Sequence, residues 1–209
     1  MENRAVKGNI LVISGPSGSG KSSLLRQLLA ASEDAYFSIS TTTRAIREGE
    51  QEGVNYHYIA KEVFEQEINE GAFLEWAKVH DNYYGTSLKP ILKALREGKI
   101  VIFDIDVQGH KIVREKFDSL TTSVFITTPD QTELQRRLRD RGTDEPSVVE
   151  RRINNAVSEM TCMHDYDYLL INDDLEKTLN ELVCIAQASR HKTSSLDVEN
   201  FISAWANVE

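Results

Sequence analysis

The sequence predicts an α/β fold built on a parallel sheet, and three observations lead there. Short, unbroken apolar runs alternate along the chain with longer stretches whose leucines and alanines recur at helical spacing. The first apolar run leads into a glycine-rich turn and then a helix, the order of a strand–loop–helix unit. Repeats, low-complexity tracts and Pro/Gly/Ser linkers are absent from the 209 residues, a length that suits one or two domains and buries a sizeable core.

The elements follow in order. Residues 9–14 read as a buried strand. Residues 21–31 read as a helix with Leu24, Leu25, Leu28 and Leu29 on one face. Further buried strands are expected at 99–105, 122–127 and 168–172, with helices at 108–117, 130–140, 147–163 and 174–190. Between about 38 and 87 the character changes. Short aromatic-rich strand pieces, Asn55 to Ile59 and Phe73 to Val79, surround one short helix at 61–69, the pattern of a small inserted α+β domain with its own sheet. The stretch 128–150 is polar and arginine-rich, with too little apolar content for a core, and reads as a mobile flap. Near the C-terminus Phe201, Ile202 and Trp205 share one face of a short helix, which packs on the core or on another subunit.

Charge and cysteine usage exclude several classes. Lys and Arg total 24 and Asp and Glu 33, a net charge of −9, which argues against duplex nucleic acid or an anionic membrane as partner. No apolar run is long enough to span a bilayer, and no signal-peptide core precedes Gly15. Cys162 and Cys184 form no C-x-x-C pair, so a disulfide scaffold or structural zinc is not expected. A cytoplasmic protein is the simplest reading.

The sequence Gly15-Pro16-Ser17-Gly18-Ser19-Gly20-Lys21-Ser22 fits G-x-x-x-x-G-K-[ST]. Its glycines let successive backbone N–H groups point at phosphate oxygens. Lys21 supplies a point charge for β- and γ-phosphates, and the Ser22 hydroxyl suits Mg²⁺. The helix that follows aims its positive end at the same place. Ile100-Val101-Ile102-Phe103-Asp104 is an apolar strand ending in an acid, where phosphate-loop proteins carry a Mg²⁺-orienting aspartate; the bland alternative is an Asp that caps the next helix. A GTPase switch would show N-K-x-D, which this chain lacks. A kinase with a phosphorylated acceptor needs two anion sites, and two arginine groups answer to that: Arg44 with Arg47, and Arg136, Arg137, Arg139, Arg141, Arg151 and Arg152 in and around the flap. A solvated charge run explains part of the second group. It explains the first less well, with Tyr56 and Tyr84 nearby.

Eight ordered segments resemble the guanylate kinases. They are Gly15 to Ser22; Ser38 to Arg44 with Arg47, Gly49 and Glu50; Gly53-x-x-Tyr56; Phe73-Leu74-Glu75-Trp76; Asn82-Tyr83-Tyr84-Gly85-Thr86; Asp104-Ile105-Asp106-x-Gln108-Gly109; Arg137-Leu138-x-x-Arg141-Gly142; and Asn172-Asp173-Asp174. The resemblance implies a P-loop core with a five-stranded parallel sheet (1–37, 88–129 and 151–209), a GMP-binding domain (38–87) and a mobile lid (130–150). It implies transfer of the γ-phosphoryl of MgATP to GMP, with ATP and GMP as small-molecule partners and self-association left open. Carried over residue by residue, ATP would be held by Gly15, Pro16, Ser17, Gly18, Ser19, Gly20, Lys21, Ser22, Ser23, Asn172 and Asp173. The GMP phosphate would be held by Arg44, Arg47, Tyr56 and Tyr84, and the guanine by Ser40, Glu75, Thr86 and Asp106. Arg137, Arg141 and Arg152 would join Lys21 and Arg44 around the transferred group. Asp104 would act through magnesium-bound water or by orienting the acceptor phosphate. These roles make chemical sense, because hydroxyls donate to guanine O6 while carboxylates accept from N1–H and N2–H.

Two rival readings exist. A catalytically dead module that binds phosphoserine peptides would show a degraded phosphate loop, yet Lys21, Ser22 and the glycines are intact. A relative acting on another acceptor, such as a ribose phosphate, would not carry the base-reading set Ser40, Glu75, Thr86 and Asp106.

Overall fold

The computed structural model describes residues 8–140 and 145–206. Its core is a five-stranded parallel sheet of β1 (Asn9–Ser14), β2 (Ala35–Phe37), β7 (Ile100–Asp104), β8 (Thr121–Thr127) and β9 (Tyr168–Ile171), in the order β2-β7-β1-β8-β9. β1 is buried along its whole length because both sheet faces are covered, and its alternate side chains enter two different clusters. Leu11 and Ile13 pack with Leu24 and Leu28 of α1 (Lys21–Ala30) and Leu182 of α7 (Leu175–Ser189). Ile10 and Val12 pack on the other face with Ile91 and Leu95 of α3 (Leu88–Arg96) and Val113 of α4 (Val107–Phe117).

This topology decides where a ligand can sit. β1 lies between β7 and β8, so the chains leaving the C-terminal ends of these strands diverge and open a crevice. The glycine-rich loop, Asp104 and the segment after Thr127 all emerge there.

The stretch from 41 to 87 forms a second, mixed sheet, as its aromatic-rich pattern predicts. The strands are β3 (Thr41–Thr42), β4 (His57–Tyr58), β5 (Phe73–Val79) and β6 (Asn82–Ser87), in the order β4-β3-β6-β5. Helix α2 (Lys61–Asn69) covers it through Phe64, which is fully buried and stacks on Phe73 at 4.2 Å and on Tyr83 at 5.3 Å. The strand expected over Asn55 to Ile59 is shortened to His57–Tyr58, with one isolated bridge between Glu52 and Tyr56 before it.

Three expectations are corrected or extended. The segment after 128 does contribute to a core. Helix α5 (Gln131–Asp140) buries Leu134 and Leu138 against Val149 and Ala156 of α6 (Pro146–Met160), forming a third cluster from two i,i+4 leucines that an arginine-rich average concealed. Short β2 and β3 and the Pro90-containing α3 carry little local signal and were not foreseen. The C-terminal helix α8 (Val198–Ala206) exists, but Phe201, Ile202 and Trp205 are exposed by 52%, 52% and 75%, so its apolar face does not pack on the core. Among the described residues no helix is long and apolar enough to cross a membrane.

Candidate functional site

The glycine-rich loop joins β1 to α1 and is shaped by two glycines that no other residue could replace without movement. At Gly15 (φ +137°) an added Cβ would lie 2.0 Å from the Ile126 carbonyl oxygen; at Gly20 (φ +96°) it would lie 2.2 Å from Asn172 Nδ2. Gly20 is also the N-cap of α1 and offers no capping side chain, so the first amides of the helix remain available to an anion. The Lys21 ammonium folds back over the loop and donates to the carbonyl oxygens of Gly15 and of Pro16, the latter at 3.0 Å. Ser22 is exposed on the first turn and Ser23 is half-buried beside it.

The segment after β9 and helices α5 and α6 meet this loop. Asn172 is buried and donates from Nδ2 to the Ser19 carbonyl oxygen at 2.7 Å, while its own carbonyl oxygen accepts from Arg137 Nη2 at 2.8 Å. Arg137 is held from the other side by Glu133 at 2.7 Å. Arg152 of α6 donates to Ser17 Oγ at 2.7 Å. The structure thus brings Arg137, Arg152, Asn172 and the loop together, with Asp173 immediately following. Arg141 lies outside the described residues.

Asp104, at the exposed tip of β7, has its carboxyl raised above the usual aspartate range by loss of water in the crevice, while the Lys21 charge acts the other way. Asp104 does not cap the next helix. That work falls to Asp106, whose Oδ1 accepts from Gln108 N at 3.1 Å and Gly109 N at 2.8 Å. Glu159 of α6 feels both Lys21 and Asp106, and its carboxyl is raised by burial and by the Asp106 charge, against the pull of Lys21. Its spacing of seven from Arg152 puts both on one helix face, a signal the sequence offered and the motif reading passed over.

The second sheet assembles the other half. Its β5–β6 pairing shifts register between Phe73 and Glu75, and that bulge sets Glu75 opposite Thr86. Thr86 Oγ1 donates to Glu75 Oε1 at 2.6 Å, leaving Oε2 for another donor. Gly85 makes the close approach possible: a Cβ there would lie 2.8 Å from the Glu75 carbonyl oxygen and 2.9 Å from Trp76 Cβ. Leu74 packs on the core cluster that holds Val113, anchoring this strand beside α4 and hence beside Asp106. Ser40 ends the loop before β3 and is half-buried.

Arg44 follows β3 and is the most constrained cation of the second sheet. Its Nη2 donates to both oxygens of Glu50, at 2.7 and 3.0 Å, and its Nη1 to the Ala45 carbonyl oxygen at 2.8 Å. The guanidinium lies 5.5 Å from the Tyr56 ring centre and 5.9 Å from that of Tyr58. Tyr56 and Tyr84 meet edge to face at 5.9 Å. Arg47 sits on the same loop, its backbone N–H donating to Glu50 Oε2 at 2.8 Å. Arg44, Tyr56 and Tyr84 are therefore neighbours, and Arg47 joins them through its backbone bond to Glu50. Glu50 and Tyr58, their supports, had no role assigned from sequence.

This geometry accounts for the comparisons with known proteins. The family model described as guanylate kinase matches residues 7–189. The guanylate kinase of Wolinella succinogenes is 50% identical over 203 residues, covering 97% of this chain and 94% of that protein. That of Helicobacter pylori is 49% identical, covering 95% and 96%. The crystal structure of guanylate kinase from Anaplasma phagocytophilum superposes with a TM-score of 0.72 at 29% identity, covering 99% of both chains. A phosphate loop with two converging arginines, a separate arginine–tyrosine cluster and a match over nearly the full length leave one conclusion: the chain belongs to the guanylate kinase family.

Proposed function

We infer that the chain is an ATP:GMP phosphotransferase that moves the γ-phosphoryl group of ATP to GMP, giving ADP and GDP. The observation that carries this reading is the pair of separate anion sites, one on each sheet. Lys21, the loop amides, Arg137 and Arg152 suit a nucleoside triphosphate, with Asn172 and Asp173 beside its base. Arg44, Arg47, Tyr56 and Tyr84 suit a single phosphate, and Glu75, Thr86, Ser40 and Asp106 suit guanine. We assign residues 38–87 to the acceptor domain, 130–150 to the lid, and the remainder to the core.

The acceptor phosphate oxygen is already ionised, so no general base is required. The work of the site is to bring two anions together, neutralise them and keep water out. Lys21 and the lid arginines spread the negative charge of the transferring group, and Arg44 and Arg47 hold the acceptor in line. The oxygen donors near the loop suit Mg²⁺ entering with ATP, since that ion keeps several waters and needs few protein ligands. Ser22 would hold it directly and Asp104 through water or by orienting the acceptor, and the ion would neutralise β- and γ-phosphate charge. Closure of lid and acceptor domain around both substrates supplies the water exclusion and part of the specificity. The two free cysteines agree with a reducing compartment, and we assign the protein to the cytoplasm.

The test is nucleoside diphosphate formation from ATP with a panel of acceptors: GMP, IMP, AMP, CMP, UMP and ribose 5-phosphate. GMP should lead the purines by at least about 10-fold in kcat/KM. Equal use of ribose phosphate would overturn the acceptor assignment.

A further inference from the structure

We propose that Glu50 is a positioning residue for the acceptor phosphate, fixing the Arg44 fork before GMP arrives. The inference rests on the reading of Arg44 as a phosphate ligand and adds a residue that contacts no substrate itself. A carboxylate beside a dianion site works against binding by charge alone, so its presence there needs a reason. The geometry supplies one. Glu50 accepts from Arg44 Nη2 with both oxygens, from the Arg47 backbone N–H at 2.8 Å and from the Tyr58 hydroxyl at 2.9 Å. Three of the four bonds converge on Oε2 and one falls on Oε1, so the carboxylate is engaged chiefly by the protein's own donors.

The effect on Arg44 is specific. With Nη2 tied to Glu50 and Nη1 to the Ala45 carbonyl oxygen, the plane of the guanidinium is set by two anchors. Tyr84, a phosphate ligand in the proposed site, meets Tyr56 edge to face at 5.9 Å, and the Tyr56 ring lies 5.5 Å from the same guanidinium. The side chains of Arg44 and Glu50 are 12% and 19% exposed, so the pair is sheltered within the loop rather than waving at its surface. Gly49, at φ +84°, makes the reversal that returns Glu50 to the Arg47 amide. The Arg44 side-chain bond, followed by the Arg47 amide, brings the Glu50 carboxyl down to about 2, so the clamp stays charged throughout the working range.

The donor side carries the same construction. Arg137 is gripped by Glu133 on one side and by the Asn172 carbonyl oxygen on the other. Each anion site thus contains an arginine with two fixed anchors, one a carboxylate and one a main-chain oxygen. Two unrelated segments arriving at one arrangement favours orientation over incidental pairing.

Positioning and charge predict opposite signs for Glu50→Gln. Removal of a negative charge alone would tighten binding of a phosphate dianion; loss of the clamp weakens it. The experiment measures dissociation constants of GMP and of guanosine, which lacks the phosphate, for the full-length protein and for Glu50→Gln, Tyr58→Phe and Arg44→Lys. The expected result is that Glu50→Gln weakens GMP about 10–100-fold while guanosine and KM for ATP stay within about twofold. Tyr58→Phe keeps the ring over Arg44, removes one Glu50 bond and should move GMP the same way by less. It decides the matter alone if circular dichroism shows Glu50→Gln unfolded.

Three results overturn the inference: tighter GMP binding in Glu50→Gln, equal weakening of GMP and guanosine, or an unchanged ratio when Arg44→Lys collapses it. If Arg44→Lys itself leaves the GMP-to-guanosine ratio intact, the acceptor-site reading fails and this inference falls with it.

Discussion

Glu75→Gln separates reading of the base from holding of the phosphate. In the folded protein the Thr86 hydroxyl donates to Glu75 Oε1 at 2.6 Å, so one oxygen is committed and, in the proposed site, the other is the acceptor for the base. Guanine presents N1–H and N2–H donors to it. An amide at 75 has two orientations. If its oxygen faces the base, a charge-assisted bond becomes a neutral one, a loss of about 1–1.5 kcal/mol or roughly 5–15-fold in kcat/KM for GMP. If its NH₂ faces the base, because the oxygen keeps the Thr86 bond, donor meets donor and a further 1–3 kcal/mol is lost, about 10-fold or more. AMP experiences the reverse. Its N1 lone pair opposes a carboxylate but accepts from an amide, so the GMP-to-AMP ratio of kcat/KM should shrink by about 10–100-fold. IMP, which keeps N1–H and lacks the 2-amino group, should trail GMP with the unaltered protein by roughly 10–200-fold and by less with Glu75→Gln. The assay is steady-state kinetics on GMP, IMP and AMP with both proteins. An unchanged GMP-to-AMP ratio means that Glu75 does not face the base and that the bulge opposite Thr86 serves packing alone.

Lys21→Ala should lower kcat by on the order of 10²–10³-fold or more while the cooperative melting transition persists, since its bonds are to the loop it sits over; near-normal turnover would refute the phosphate-loop assignment. GMP together with a non-hydrolysable ATP analogue should reduce the radius of gyration in solution scattering, because the ligands of one substrate pair lie on two sheets; no change at saturation would rule out closure. Asp167 is pushed upward by burial, but Arg114 and the Ser123 amide overcome that and leave its carboxyl below the usual range. Its stabilisation is therefore present above the unfolded pKa and lost as pH falls through the lower folded value. Asp167→Asn should lower Tm at about pH 7, and the difference from the unaltered protein should shrink as pH falls through the folded pKa of Asp167; a constant difference would show that charge is not involved.

What was legible in the sequence was what local physics marks. The apolar runs of β1, β7 and β8 are buried and announce themselves, and at Gly15 and Gly20 an added Cβ would lie only 2.0 and 2.2 Å from the Ile126 carbonyl oxygen and Asn172 Nδ2. Most of the residues proposed for the substrates stand in recognisable segments, with Ser23 and Arg152 outside them. Strands β2 and β3 were not, since with three and two residues they hold their place through neighbours rather than through pattern. The third core cluster was hidden for the opposite reason: Leu134 and Leu138 stand among arginines and glutamates, and only the apposition of α6 shows that they face inward.

The same distinction explains why the supports were missed while the arginines were found. An arginine that meets a phosphate advertises itself by charge against an acidic chain. The glutamate that aims it does not, since Glu133 is one among 33 acids and Glu50, though it stands in a matching segment, carried no role there. Their meaning lies in what they are bonded to. A guanidinium on a long side chain loses rotamer freedom when it meets an anion, and that loss falls on binding unless folding has already taken it. Glu50 with the Ala45 carbonyl, and Glu133 with the Asn172 carbonyl, shift the loss to folding. In a site where no proton is moved by the protein and alignment carries the rate, an arginine fixed in advance contributes more than an additional mobile one. The acidic balance of the chain and its two anchored cations are consistent on this account: Glu50 and Glu133 stand behind the arginines they hold, while at the mouth of the crevice Asp106 caps α4 through Oδ1 and Asp104 makes no such bond.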